Sequence, residues 1–133
     1  MSASPVPALA HNKALTMRWF EEVWNQSRRE TIFDLFAPEC VLHEGHTPLC
    51  GPQEFAAFHD GIRAQFDNIH IEPGVVLAEN DLVSLRWTVS GTDKATGKSA
   101  KVTGISIVRI KDGRFIEAWQ NWDAAGMAAQ LAG

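Results

Sequence analysis

The chain has 133 residues, 45% of them apolar and 21% charged, with a formal net charge of -4. That length suits one domain, residues 1–133, whose core forms without metals or disulfides, and the mild acidity offers no basic footprint for nucleic acid or an anionic membrane surface. The apolar runs are far shorter than a bilayer span, and MSASPVPALAHNK has no basic stretch leading into an apolar core, so the cytoplasm is the expected compartment. Cys40 and Cys50 could bridge only with Cα atoms within about 7 Å, and in a cytosolic chain both are expected to be reduced.

Residues 1–8 read as a flexible leader. From Leu9 to Asn25 the apolar positions Leu15, Trp19, Val23 and Phe20, Trp24 recur at i, i+4 and draw one stripe, which predicts a first helix. SRRE, Ser27 to Glu30, has the spacing of a capping box and predicts a second helix from Arg28 to Phe36 that Pro38 ends. Cys40 to His43 reads as a short strand, followed by the loop EGHTPLCG. Gly51-Pro52 opens a third helix, with Phe55, Phe58, Ile62 and Phe66 on its core face and Arg63 and Gln65 off it.

From Asn68 the period changes to alternation. IHIEPGVVLAE, LVSLRWTVSG, AKVTGISIVRI and RFIEAWQNWD are rich in β-branched residues and predict four strands. Asn80-Asp81 and Asp112-Gly113 mark hairpin turns, and TDKATGKS marks a longer hairpin loop. DAAGMAAQLAG predicts a short terminal helix with Asp123 as N-cap. Helices segregated from strands make an α+β domain, and strands with Gly91 and Gly104 near them are expected to curl around a pocket open at one end.

In that order, RWFEEVWNQSRRETIFDLFAPECVLHE, GPQEFAAFHDGIRAQFDNIHIE, LVSLRWTVSGT, TGISIVRIKDGRFIEAWQNWD and GMAAQLAG resemble the SnoaL-like polyketide cyclases of the nuclear transport factor 2-like (NTF2-like) superfamily, over about residues 13 to 133. The resemblance implies a cone-shaped α+β fold: a curved antiparallel sheet covered by three N-terminal helices, a hydrophobic pocket, and a homodimer packed through the sheet. It also implies intramolecular aldol ring closure of a polyketide ester with no cofactor and no metal. The same superfamily holds ketosteroid isomerases, epoxide hydrolases and non-catalytic scaffolds, so the fold alone decides no chemistry.

Which residues reach the pocket depends on the register of the last hairpin. With a two-residue loop at Asp112-Gly113, Ile110 faces Phe115, and Ser106 shares a face with Glu117, Trp119, Asn121 and Asp123. With a three-residue loop Lys111-Asp112-Gly113, Ile110 faces Arg114, and Ser106 shares a face with Ala118, Gln120 and Trp122. The second is preferred, because it pairs the apolar Val108 and Ile116. By the resemblance, Gln120 then stands where the cyclases carry a catalytic Asp, and Ser106 where they carry a His. A neutral amide has no useful basicity, but it can donate to a carbonyl or enolate oxygen.

His43 is the candidate acid/base group, since it titrates near neutrality and resembles a His found near the family's pocket. Asp123 is a second candidate acid, against its reading as a helix cap. Glu117 reads as an ion pair with Arg109 or Arg86. Trp122 is the expected wall of the pocket mouth. Trp87, Arg86 and Trp19 complete the candidate binding set, and Trp119 is expected at the dimer contact. HEGH, at His43 to His46, lacks HExxH spacing and predicts no metal site. The function expected is binding of a small hydrophobic carbonyl compound, with enolate chemistry of the cyclase or isomerase kind. The alternatives are a non-catalytic ligand-binding or scaffold protein, and an epoxide hydrolase using Asp123, Glu117 and Arg86. No buried tyrosine can serve as in the isomerases, because the chain has none.

Overall fold

The computed structural model describes residues 5–132. Helix α1 spans Pro5–Trp19 and continues into a wider π-helical turn, Phe20–Asn25. It therefore begins inside the expected leader, whose residues 1–4 lie outside the described residues. Prolines are tolerated there because first-turn N–H groups have no helical partner. The exit differs from the capping-box expectation. Arg28 N–H donates to the Glu22 carbonyl at 2.7 Å, and Ser27 turns left-handed at φ 57 instead of capping. Helix α2 is the short span Glu30–Leu35, with no side-chain cap.

Strand β1, Phe36–Glu44, starts earlier than expected, and Pro38 lies in its irregular stretch between Phe36 and Val41, where no ladder bond requires an N–H. The expected loop contains a strand, β2 (Thr47–Cys50), which pairs antiparallel with β1 through a turn at Gly45. Helix α3, Gly51–Gln65, opens on Pro52 as expected, and the Glu54 carboxylate accepts the Cys50 N–H at 2.8 Å. Then follow β3 (Phe66–Glu79), β4 (Leu82–Asp93), β5 (Ser99–Lys111), β6 (Arg114–Trp122) and helix α4 (Ala124–Ala132).

The six strands form one sheet in the order β2-β1-β6-β5-β4-β3. The sheet is mixed and not wholly antiparallel, because β1 runs parallel to β6 while the other pairs are antiparallel. Strand β3 bulges twice, between Asp67 and His70 and between Pro73 and Val76, and such bulges bend a sheet. The helices cover the concave face. Trp19 stands at the centre of the core, with its ring centroid 4.9 Å from Phe55, 5.2 Å from Phe115 and 5.9 Å from Phe36. Both cysteines are free thiols; Cys40 is buried, and desolvation first of all pushes its thiol up to about 12.

The last hairpin departs from the preferred register, although the face expected to reach the pocket does so. Its turn is the two-residue one: Asp112 (φ 52) and Gly113 (φ 75) are both left-handed and Ile110 faces Phe115. A bulge between Arg109 and Ile110 then shifts the ladder by one residue, so Val108 pairs with Ala118 rather than Ile116, and Ser106 pairs with Gln120. Ser106, Ala118, Gln120 and Trp122 consequently share the concave face.

Candidate functional site

Between the concave sheet, the π-helical turn, α3 and α4 lies a cavity of about 230 Å³. Trp24, Phe58, Ile69, Trp87, Trp122 and Met127 supply much of its apolar wall. Its polar side chains are Gln65, Ser90 and Gln120, so none of the described lining residues is ionisable. Gln65 was expected off the core face of α3. It reaches the cavity because it is the last helical residue, where the chain turns into β3.

Trp87, Ser106, Gln120 and Trp122 are joined by directed hydrogen bonds. The Trp87 Nε1–H donates to Ser106 Oγ at 3.0 Å, and the Ser106 hydroxyl donates to Gln120 Oε1 at 3.4 Å. Gln120 Nε2–H donates to one Glu44 carboxylate oxygen at 2.5 Å, and Trp122 Nε1–H donates to the other at 3.0 Å. An indole only donates and an ionised carboxylate only accepts, which sets the direction of these bonds other than the one between Ser106 and Gln120. Gly104 makes room for it: a Cβ there would overlap the Trp87 ring and crowd Trp122.

Glu44 was missed in the sequence, although its signal was present. In CVLHE the period of two places Cys40, Leu42 and Glu44 on one face and His43 on the other. The structure follows that alternation. His43 leaves the convex face, its side chain 44% exposed, its Nε2–H donating to the Glu117 carboxylate at 3.0 Å and its ring stacked on Trp119 at 5.6 Å. The expectation of His43 beside the pocket is corrected accordingly. HEGH gathers no ligand set, since His43 and Glu44 leave opposite faces; among the described residues no three His, Cys, Asp or Glu side chains come together.

Three further expectations change. Arg86 is exposed on the convex face, because its neighbour Trp87 takes the concave one. Trp19 is 6% exposed within the aromatic core and does not line the cavity. Asp123 accepts the Gly126 N–H at 2.9 Å and caps α4. Glu117 approaches Arg109 at 3.9 Å on the convex face, so the acids and Arg86 that an epoxide hydrolase would need do not converge in the cavity.

A model of the SnoaL-like polyketide cyclases matches residues 14–131. The chain belongs to the SnoaL-like polyketide cyclase family. Solved structures agree in fold. One is IdmH from Streptomyces antibioticus, a candidate polyketide cyclase: TM-score 0.81, 24% identity, 92% of this chain and 99% of that one covered. Another is a SnoaL-like candidate cyclase from Jannaschia sp. CCS1: TM-score 0.85, 18% identity, 100% and 98% covered. A third, a candidate cyclase from Acidithiobacillus ferrooxidans, has TM-score 0.82 and 25% identity over 99% and 98%. No functionally curated protein matches the chain. In this SnoaL-like chain Ser106 and Gln120 pair across β5 and β6, and the carboxylate that Gln120 bonds stands on β1. Among its described residues no helix is long and apolar enough to cross a membrane.

Proposed function

We propose that this SnoaL-like protein binds a small, largely apolar carbonyl compound in its cone, with Gln120 donating to the carbonyl oxygen and Trp122 and Trp87 flanking it. The observation that supports this is the contrast within the cavity: an apolar wall interrupted by a hydrogen-bonded amide at the end nearest β1. Such a site pays little desolvation for an aromatic ketone and offers its oxygen one oriented donor. Ring closure or isomerisation through an enolate also needs a base. No described lining side chain is ionisable, so binding without turnover is the reading put forward.

The test is thermal denaturation with bicyclic and polycyclic ketones. A ligand at about 100 times its Kd adds about 2.7 kcal/mol, a shift of several degrees. The shift is expected to shrink in Gln120→Leu. A cooperative melt unmoved by any ketone would sink the reading.

The protein is also proposed to pair with a second copy through its convex face. There one cross-strand row runs His43, Trp119, Ile107, Ser84, Leu77. Ile107 is 37% and Leu77 64% exposed, and Ile105 next to Ile107 on β5 is 42% exposed. A contiguous exposed apolar patch on one sheet face is the kind of surface that marks an interaction site.

A further inference from the structure

Resting on the carbonyl-binding reading, we infer that Glu44 is a positioning residue that makes the cavity select hydrogen-bond acceptors: it holds the Gln120 amide with its N–H groups, not its carbonyl, available to a ligand. A glutamine amide is nearly symmetric in shape, and either end could face a cavity unless its neighbours discriminate. Here Glu44 is the neighbour that does. The Ser106 hydroxyl, which accepts from Trp87, donates to Gln120 Oε1 at 3.4 Å, but with a second lone pair it suits either orientation of the amide. On the other side a carboxylate, which only accepts when ionised, takes one Nε2 hydrogen of Gln120. Trp122 holds the second carboxylate oxygen, so Glu44 cannot swing away without stranding an indole N–H.

The other Nε2 hydrogen is the donor left for the cavity that Gln120 lines. A flipped amide would set its carbonyl against the Glu44 carboxylate, a repulsive pair in partly buried surroundings. At Gln120 the ligand class selected is therefore the acceptor: ketones, esters and lactones ahead of N–H donors of equal size. Glu44 acts without lining the cavity, through Gln120.

Three bicyclic probes of similar volume test this by calorimetry: 1-indanone (acceptor), indole (donor) and indane (neither). The wild-type protein is expected to bind 1-indanone about tenfold more tightly than indole, the worth of one matched against one unmatched buried hydrogen bond. In Glu44→Gln the new amide can accept or donate, Gln120 is free to turn, and the 1-indanone to indole ratio is expected to fall towards one while indane binding stays put. An unchanged ratio in that variant overturns the role of Glu44 and leaves the carbonyl-binding reading standing. Equal wild-type affinity for 1-indanone and indane overturns both. Should Glu44→Gln fail to fold, the wild-type side-chain amide of Gln120, identified in nitrogen-15 spectra by its loss in Gln120→Leu, decides. It should shift with 1-indanone and not with indole; a shift with indole instead overturns the inference.

Discussion

Gly104 carries no side chain because the Trp87 ring lies where its Cβ would be. The flat ring is what brings the indole N–H to Ser106, so the glycine builds the site from one strand away. Gly104→Ala should cost about 1–3 kcal/mol of stability, as overpacking does, and should weaken ketone binding; denaturant unfolding and calorimetry measure the two. His59 is a second residue whose surroundings decide its behaviour. Its Nε2–H donates to the Val23 carbonyl at 2.8 Å, while Nδ1 is buried without a partner. Burial first of all, with help from Arg63 and Arg29 and against the Val23 bond and Asp60, lowers its pKa below the ordinary 6.5. The unfolded chain then takes up a proton below about pH 6.5 that the folded chain refuses, so stability falls as pH drops through that value and is level above it. Urea midpoints between pH 7.5 and 5.5 should show the fall, and His59→Gln should flatten it. The π-helical turn, which lays Trp24 against the His59 ring at 4.8 Å, is what makes this histidine interior.

At the scale of elements, helix existence was legible because apolar residues at i, i+4 have no other economical use. Boundaries were less so: the Ser27 to Glu30 spacing fits a capping box, yet the wide turn before it uses Ser27 as its left-handed end. The β5–β6 hairpin makes the same point. Asp112-Gly113 forms the two-residue turn and not the preferred three-residue one, and the bulge that restored the expected pocket face is a property of the sheet. Helix α4 has no buried residue, yet Met127 and Leu131 line the cavity. It is held by the Asp123 cap and by Gln130, which accepts from Lys101 N–H at 2.7 Å and donates to Lys101 O at 3.0 Å. Asp123→Ala should therefore cost about 0.5–2 kcal/mol locally, faster amide exchange in α4 being the readout, and should weaken ligand binding more than it lowers the global melting temperature.

For the whole molecule, the convex face sets the prediction. If a second copy covers Ile105 and Ile107, Ile107→Lys should convert a dimer to a monomer in light scattering at micromolar concentration, with the cavity still able to take a ketone. A wild-type monomer at every concentration would remove the dimer. The sequence by itself determined the class of fold, the order of its elements apart from β2, and the family, because periodicity, turn residues and chain order are local properties. It also brought Gln120, Ser106, Trp122 and Trp87 into consideration. Which charged groups stand near the pocket was decided only by tertiary structure. His43 and Glu44 are neighbours on one strand, and the pleat sends them to opposite faces. The parallel pairing of β1 with β6, a contact between residues some 74 to 76 positions apart, sets Glu44 against Gln120 and His43 against Glu117. No local pattern encodes that pairing, since it depends on how the curved sheet closes over its core.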